Sequence, residues 1–89
     1  MSSQGQAIQA KYDGRADVLY VTVGQSSPAK YEEDDDGLVW RLDAQGVRYG
    51  VTVMDYHGYW SRRLGTLTSR IVETLHVTAP ELKEAMSER

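Results

Sequence analysis

The apolar residues of this chain change their spacing once, near Asp55. Before that point apolar residues alternate with other residues, most clearly in Leu38–Leu42 and Val47–Met54, and a period of two is typical of β-strands. Beyond it the apolar residues recur at steps of three and four, which is typical of one helix face; they are Leu64, Leu67, Ile71, Val72 and Leu75. The change of period therefore predicts strands first and helices second.

Four or five short strands are predicted before Asp55. The candidate segments are Ile8–Tyr12, Val18–Val23, Ala29–Glu33, Leu38–Leu42 and Val47–Met54. Val18–Val23 is rich in β-branched and aromatic residues and carries no charge on either face, so we place it in the interior of the sheet. Turn signals at Asp13–Asp17 and Asp43–Gly46 are short, and short turns join antiparallel strands. We therefore predict an antiparallel meander.

Two short helices are predicted after the sheet. The first has Thr66 as a candidate N-cap and ends near His76, while Thr78 and Glu81 form a capping-box pattern at the start of the second. Within the chain only these helices can cover a face of the sheet. The predicted fold class is α+β: a four- to five-stranded antiparallel meander sheet followed by two short C-terminal helices packed on one face.

The length of 89 residues indicates one small domain. We expect a disordered N-terminus over residues 1–6 and a single domain over residues 7–89, with the β-meander in 7–55 and a helical tail in 56–89. The sequence shows no apolar run long enough to span a membrane and no secretory signal in its first nine residues. A cytoplasmic location and no membrane partner are therefore expected.

The composition disfavours several classes of function. The chain has no cysteine, which removes thiolate nucleophiles and Cys-rich zinc sites. Its formal net charge is -3, whereas nucleic-acid binding usually requires a basic face. We expect no catalytic residue, no metal site and no cofactor.

Two segments of the chain resemble a known family. Tyr12-Asp13 followed by Asp17-Val18-Leu19-Tyr20-Val21 is similar to the Y-D-x-x-x-D-x-L-Y-[IV] opening of the small bacterial domain-of-unknown-function 2283 family. Further matches follow in the same order, namely Asp36-Gly37-Leu38-Val39, Leu42-Asp43, Gly46 and Gly50-Val51-Thr52-Val53-Met54. The chain departs from the family at Gly14, where the family often has Pro, and at Met54-Asp55, where it often has Leu and a small residue.

This resemblance covers about Lys11–Asp55 and implies a compact β-rich fold. Its shared residues are mostly turn formers and apolar core residues, which are determinants of a fold and not a catalytic set. The resemblance also implies an antitoxin-like or partner-binding role, because small toxin-like genes neighbour some members. That implication is associational.

A run of five carboxylates is the first candidate site. It consists of Glu32, Glu33, Asp34, Asp35 and Asp36. The favoured interpretation is a solvated strand end whose charges prevent edge-to-edge pairing. Two alternatives are a surface for a small basic protein partner and a cation site, although the spacing is not that of an EF-hand.

The segment after the last strand is the second candidate site. Its residues Tyr56, His57, Tyr59, Trp60, Arg62 and Arg63 form a candidate interface. Structure or self-association is the favoured interpretation, because aromatic rings with polar tips suit sheet edges and interfaces. Stacking on bases with contacts to phosphates is an alternative. Asp55, His57 and Ser61 resemble a catalytic triad only in residue type, since no nucleophile elbow accompanies them.

Two further patterns bear on function. Asp13 and Asp17 flank the first turn, where capping is favoured over a catalytic carboxylate pair.

The aromatic residues Tyr20, Trp40, Tyr49, Tyr59 and Trp60 exceed what two short helices easily cover, and uncovered aromatic surface often marks an interface. In a dimer the acidic run could face Arg62, Arg63 or Arg70 of a second copy.

The sequence thus favours a non-enzymatic binding or regulatory module that acts through protein–protein contacts as a homodimer. One alternative is an antitoxin-like protein that binds a small basic toxin through the acidic run. The other is a weak nucleic-acid binder that uses the aromatic and arginine residues of 56–63.

Overall fold

The computed structural model describes residues 7–24 and 28–87, so the disorder predicted for residues 1–6 lies outside the described residues. The strands are β1 (Ile8–Asp13), β2 (Val18–Val23), β3 (Lys30–Glu33), β4 (Val39–Leu42) and β5 (Arg48–Met54). A 3₁₀ turn at Trp60–Arg62 precedes the helices α1 (Leu64–Leu75) and α2 (Ala79–Ser87). This arrangement of an antiparallel sheet followed by two helices confirms the predicted α+β fold class.

The order of the strands differs from a meander. It is β1-β2-β5-β4-β3, with every neighbouring pair antiparallel. The β1–β2 hairpin and the β3–β4–β5 unit therefore join through β2 and β5. The connection from Val23 to Lys30 permits this, because its seven peptide units reach up to about 23 Å, whereas three strand spacings measure about 14 Å. As a result β2 and β5 both lie inside the sheet.

Aspartates close the turns that the sequence predicts. Oδ1 of Asp13 accepts the backbone N–H of Arg15 at 3.0 Å. Oδ1 of Asp43 likewise accepts the N–H groups of Gln45 and Val47 at 2.9 and 3.0 Å. Such side-chain bonds to the following backbone explain why Asp is favoured in turns. Capping by Asp13 is thus confirmed.

The hydrophobic core lies between one face of the sheet and the two helices. Strand residues of this core alternate along the chain, as a sheet with one buried face requires; they include Leu19, Val21, Val23, Trp40, Leu42, Val51 and Val53. The helices contribute Leu67, Ile71, Leu75 and Leu82. Trp40, Tyr49 and Trp60 are also buried, so the expectation that the aromatic residues exceed the available cover is wrong for these three.

The helix ends follow local signals, with one exception. In α2, Thr78 accepts the N–H of Glu81 at 3.2 Å and donates its own N–H to Oε1 of Glu81 at 2.9 Å, which confirms the capping box. Helix α1 ends at Leu75 and is followed by His76 as its C-cap, whose φ of 59° is left-handed. However, α1 begins at Leu64 without a side-chain cap, so Thr66 lies inside the helix and is not its N-cap.

Within residues 7–24 and 28–87, no helix is long and apolar enough to cross a membrane.

Candidate functional site

The acidic run is divided among different environments. Glu32 forms an ion pair with Arg48 at 2.8 Å, on the face that carries the helices. Asp34 and Asp36 both pair with Arg70 of α1. Three of the five carboxylates therefore have partners within the chain, whereas Glu33 and Asp35 are exposed.

Asp34 organises the turn between β3 and β4. Its Oδ1 accepts the backbone N–H groups of Asp36 and Leu38 at 2.9 and 3.0 Å. Its Oδ2 accepts the indole N–H of Trp40 at 3.0 Å and a guanidinium N–H of Arg70 at 2.5 Å. Partial burial raises the pKa of Asp34, but these donors together hold it below its ordinary value. The residue is thus a structural acceptor that joins the sheet to α1.

The contacts of Arg70 lie within its own chain. This arginine was a candidate for pairing with the acidic run of a second copy, yet it meets Asp34 and Asp36 of its own chain. In the described part of the chain, no group of three or more His, Asp or Glu side chains is placed to hold a metal ion. The acidic run is therefore mainly a turn and helix anchor in this structure.

The candidate interface after β5 is split between core and surface. Tyr56 and Trp60 are buried, with 7% and 3% of their surface exposed, and both belong to the hydrophobic core. The remaining members, His57, Tyr59, Arg62 and Arg63, are exposed. The six residues therefore do not form one continuous surface.

Asp17 ties the first turn of the sheet to this segment. Its carboxylate accepts the hydroxyl of Tyr12 at 2.7 Å and the backbone N–H groups of His57 and Gly58 at 2.8 and 3.0 Å. The donors, His57 foremost and then Tyr12, hold the pKa of Asp17 below its ordinary value. The predicted role in a local turn is wrong for Asp17, because its bonds span the sequence from residue 12 to residue 58.

The exposed part of the segment has local contacts of its own. The Ser61 hydroxyl donates to the backbone oxygen of His57 at 2.7 Å, so this contact is not that of a catalytic triad. The guanidinium of Arg63 lies 4.1 Å from the ring centre of Tyr59 and also donates to its backbone oxygen at 3.0 Å. These contacts order the 3₁₀ turn and the start of α1.

The face of the sheet opposite the helices is a larger surface. Its central row crosses all five strands through the pairs Lys11–Tyr20, Tyr20–Thr52, Thr52–Val39 and Val39–Glu33. A second row consists of Gln9, Thr22, Gly50, Arg41 and Tyr31. Directly paired residues point to the same side of a sheet. We call these two rows the open face, because no described element lies over them.

Arg41 lies flat across this open face. A Cβ atom on Gly50 would lie 3.5 Å from Cδ of Arg41, an ordinary contact distance, but only 3.0 Å from the Thr22 side chain and from the backbone oxygen of Val21. The guanidinium of Arg41 lies 5.8 Å from the ring centre of Tyr20, within the range of a cation–π interaction. Its Nε is buried without a hydrogen-bond partner in the described structure. A shallow depression of about 920 Å³ adjoins it and is lined by Lys11, Arg15 and Tyr20 among others.

Sequence reasoning did not identify the open face as a site. The signal was present in the alternation of β2, where Val18, Tyr20 and Thr22 share one side. The absence of charge on both faces of β2 predicts an interior strand but does not indicate which of its faces stays uncovered. Deciding this required the order of the strands, which depends on pairing between distant segments.

These features define a small α+β domain with one covered and one uncovered face of an antiparallel sheet. The chain belongs to the family described as Protein of unknown function (DUF2283), whose model matches residues 9–56. The match confirms the resemblance and spans the sheet and Asp17, but not the helices. Neither the comparison with curated proteins nor that with solved structures gave a match.

Proposed function

We propose that this chain is a non-enzymatic binding module that acts through protein–protein contacts and forms a homodimer through its open face. The observation that supports the proposal is the one-sided cover of the sheet. Both helices contact the face of Leu19 and Val53, whereas Tyr20 and Thr52 of the same strands point away from them. The uncovered face combines Tyr, Val and Thr with charged residues, and interaction sites typically have such a mixed composition.

The chemistry of the open face suits a protein partner. Its centre contains Tyr20, Val39, Thr52 and Arg41, whose guanidinium lies beside the Tyr20 ring, and Lys11 and Glu33 lie at its two edges. Interfaces are typically enriched in Tyr and Arg and depleted of charge at their centre. The polar groups elsewhere support no catalytic alternative, since the bonds of Asp17, Asp34 and Ser61 tie segments of the fold together.

The size of the open face favours a second copy. Five strands of this length give a surface of about 20 Å by 20 Å, or about 400 Å² in projection. Because side-chain relief enlarges the accessible area, two copies would bury about 1,000 Å² in total, which is below the range of stable interfaces and within that of weak, transient ones. We therefore expect a dimer that dissociates on dilution.

The substitution Thr52→Arg tests this function. Thr52 lies at the middle of the central row, so in a face-to-face dimer two arginines would meet without partners. We expect sedimentation velocity to show a dimer for the wild type and a monomer for Thr52→Arg, with unchanged circular dichroism. Thr66→Arg is the matched control, because Thr66 is exposed on α1. A wild-type monomer, or a dimeric Thr52→Arg, would reject the proposal.

A further inference from the structure

The central row of the open face has opposite charges at its two ends. It begins with Lys11 on the edge strand β1 and ends with Glu33 on the edge strand β3. Both side chains are exposed, and neither forms an ion pair within the described residues. Thr52 is the third of the five residues and therefore marks the centre of the row.

From this pattern we infer that the homodimer has its two-fold axis parallel to the strands, with Lys11 of each copy paired to Glu33 of the other. The inference rests on the proposed function, because it requires the open face to be the interface. It goes further by assigning the orientation of the two sheets and the residues that select the partner.

Symmetry restricts how two such faces can stack. An axis parallel to the strands reverses the order of the strands across the interface, so β1 of one copy lies over β3 of the second copy. Lys11 then meets Glu33, Tyr20 meets Val39, and Thr52 meets Thr52. This is the self-complementary contact that a two-fold interface requires. Aligned sheet packing also keeps the strand directions within about 30° of each other.

The other in-plane axis, perpendicular to the strands, gives an unfavourable stack. It would place Lys11 over Lys11 and Glu33 over Glu33 of the second copy. Because like charges that face each other repel, they disfavour this arrangement of the two sheets. Charge complementarity here determines the orientation of the two copies more than the affinity between them. In the second row the parallel axis places Arg41 of each copy over Thr22 of the other.

Charge reversal at the two positions tests the arrangement. Lys11→Glu brings two glutamates together at both ends of its homodimer, and Glu33→Lys brings two lysines together. We expect each single variant to dimerise more weakly by a factor on the order of ten. An equimolar mixture should form a heterodimer of near wild-type affinity, since both of its contacts again join opposite charges.

The matched control uses Lys83→Glu and Glu73→Lys, which make the same charge changes at exposed positions on the helices. We expect these variants to dimerise like the wild type, alone and mixed. Sedimentation velocity and native mass spectrometry measure the species, and circular dichroism checks the fold of each variant.

The outcomes separate the two proposals. Weaker homodimers of both single variants together with preferred heterodimer formation support the arrangement, because under the perpendicular axis neither single variant would dimerise more weakly than the wild type. If Thr52→Arg abolishes the dimer but the charge variants neither weaken nor complement each other, the open face is the interface and the arrangement is overturned. If the wild type is a monomer, both proposals fall.

Discussion

A single carboxylate, that of Asp17, connects parts of the fold that are distant in sequence. It accepts hydrogen bonds from Tyr12 in β1 and from the backbone of His57 and Gly58 beyond β5. Asp17 also has a left-handed backbone with a φ of 58°, which Asp tolerates better than most residues. The residue therefore combines a turn conformation with hydrogen bonds to a distant segment.

We expect the substitution Asp17→Asn to destabilise the fold in a pH-dependent manner. The folded-state pKa of Asp17 lies below 3.8, its ordinary value. Its ionised form therefore contributes stability above that value, and this contribution is lost as the pH falls through the folded-state pKa. Urea unfolding of both proteins at one protein concentration should show a lower midpoint for Asp17→Asn at neutral pH. The difference should shrink as the pH falls below 3.8.

Asp35→Asn is the control for this experiment. It removes the same charge at an exposed residue that accepts no hydrogen bond in the described structure, so its midpoint should stay close to that of the wild type. A difference between Asp17→Asn and the wild type that persists unchanged into acid would contradict the role of the ionised carboxylate.

Elements that depend on local sequence were the most predictable. The capping box of Thr78 and Glu81 and the turn of Asp43 use bonds between residues at most four apart, and their side-chain chemistry can be read directly. A glycine within a strand often marks a bulge or a close neighbour, and Gly50 has a register shift opposite it and Thr22 and Arg41 beside it.

Elements that depend on distant pairing were less predictable. The position of β5 beside β2 depends on contacts between segments about thirty residues apart, which alternation alone does not specify. The run of Glu32 to Asp36 is uniformly acidic in sequence. Its members differ in environment because Arg70, which lies in the distant helix α1, pairs with Asp34 and Asp36 only. Likewise, the aromatic residues of 56–63 are chemically similar, so the sequence does not indicate which of them are buried. The burial of Tyr56 and Trp60 depends on the path of the chain in the fold.

The capping box of α2 offers a prediction for an element. Removal of the Thr78 hydroxyl leaves the Glu81 N–H without its acceptor at 3.2 Å, and loss of such a cap typically costs about 1 kcal/mol. We expect Thr78→Ala to lower the free energy of unfolding by about this amount, because Leu82 of the same helix is part of the core. Thr78→Ser retains the acceptor and should lose much less. Equal loss in both variants would show that the hydroxyl is not the source of the effect.

At the scale of the molecule, the sheet is covered on one side only. The helices and the inner face of the sheet form the one core cluster of the described residues. A core of this size provides limited stability in a chain of 89 residues. Burial of the open face in a dimer would add to that stability, so folding and assembly become linked through mass action.

This linkage predicts a thermal midpoint that rises with protein concentration. Unfolding of a dimer to two chains of 89 residues has an entropy of about 0.4 kcal/mol/K. A tenfold rise in concentration changes the free energy by about 1.4 kcal/mol, so the midpoint should rise by about 4 °C for each decade. Differential scanning calorimetry across two decades of concentration measures this slope. Thr52→Arg should unfold at a lower midpoint with no slope, because its folded state is monomeric. A wild-type midpoint that does not change with concentration would show that the open face contributes nothing to the stability of the fold.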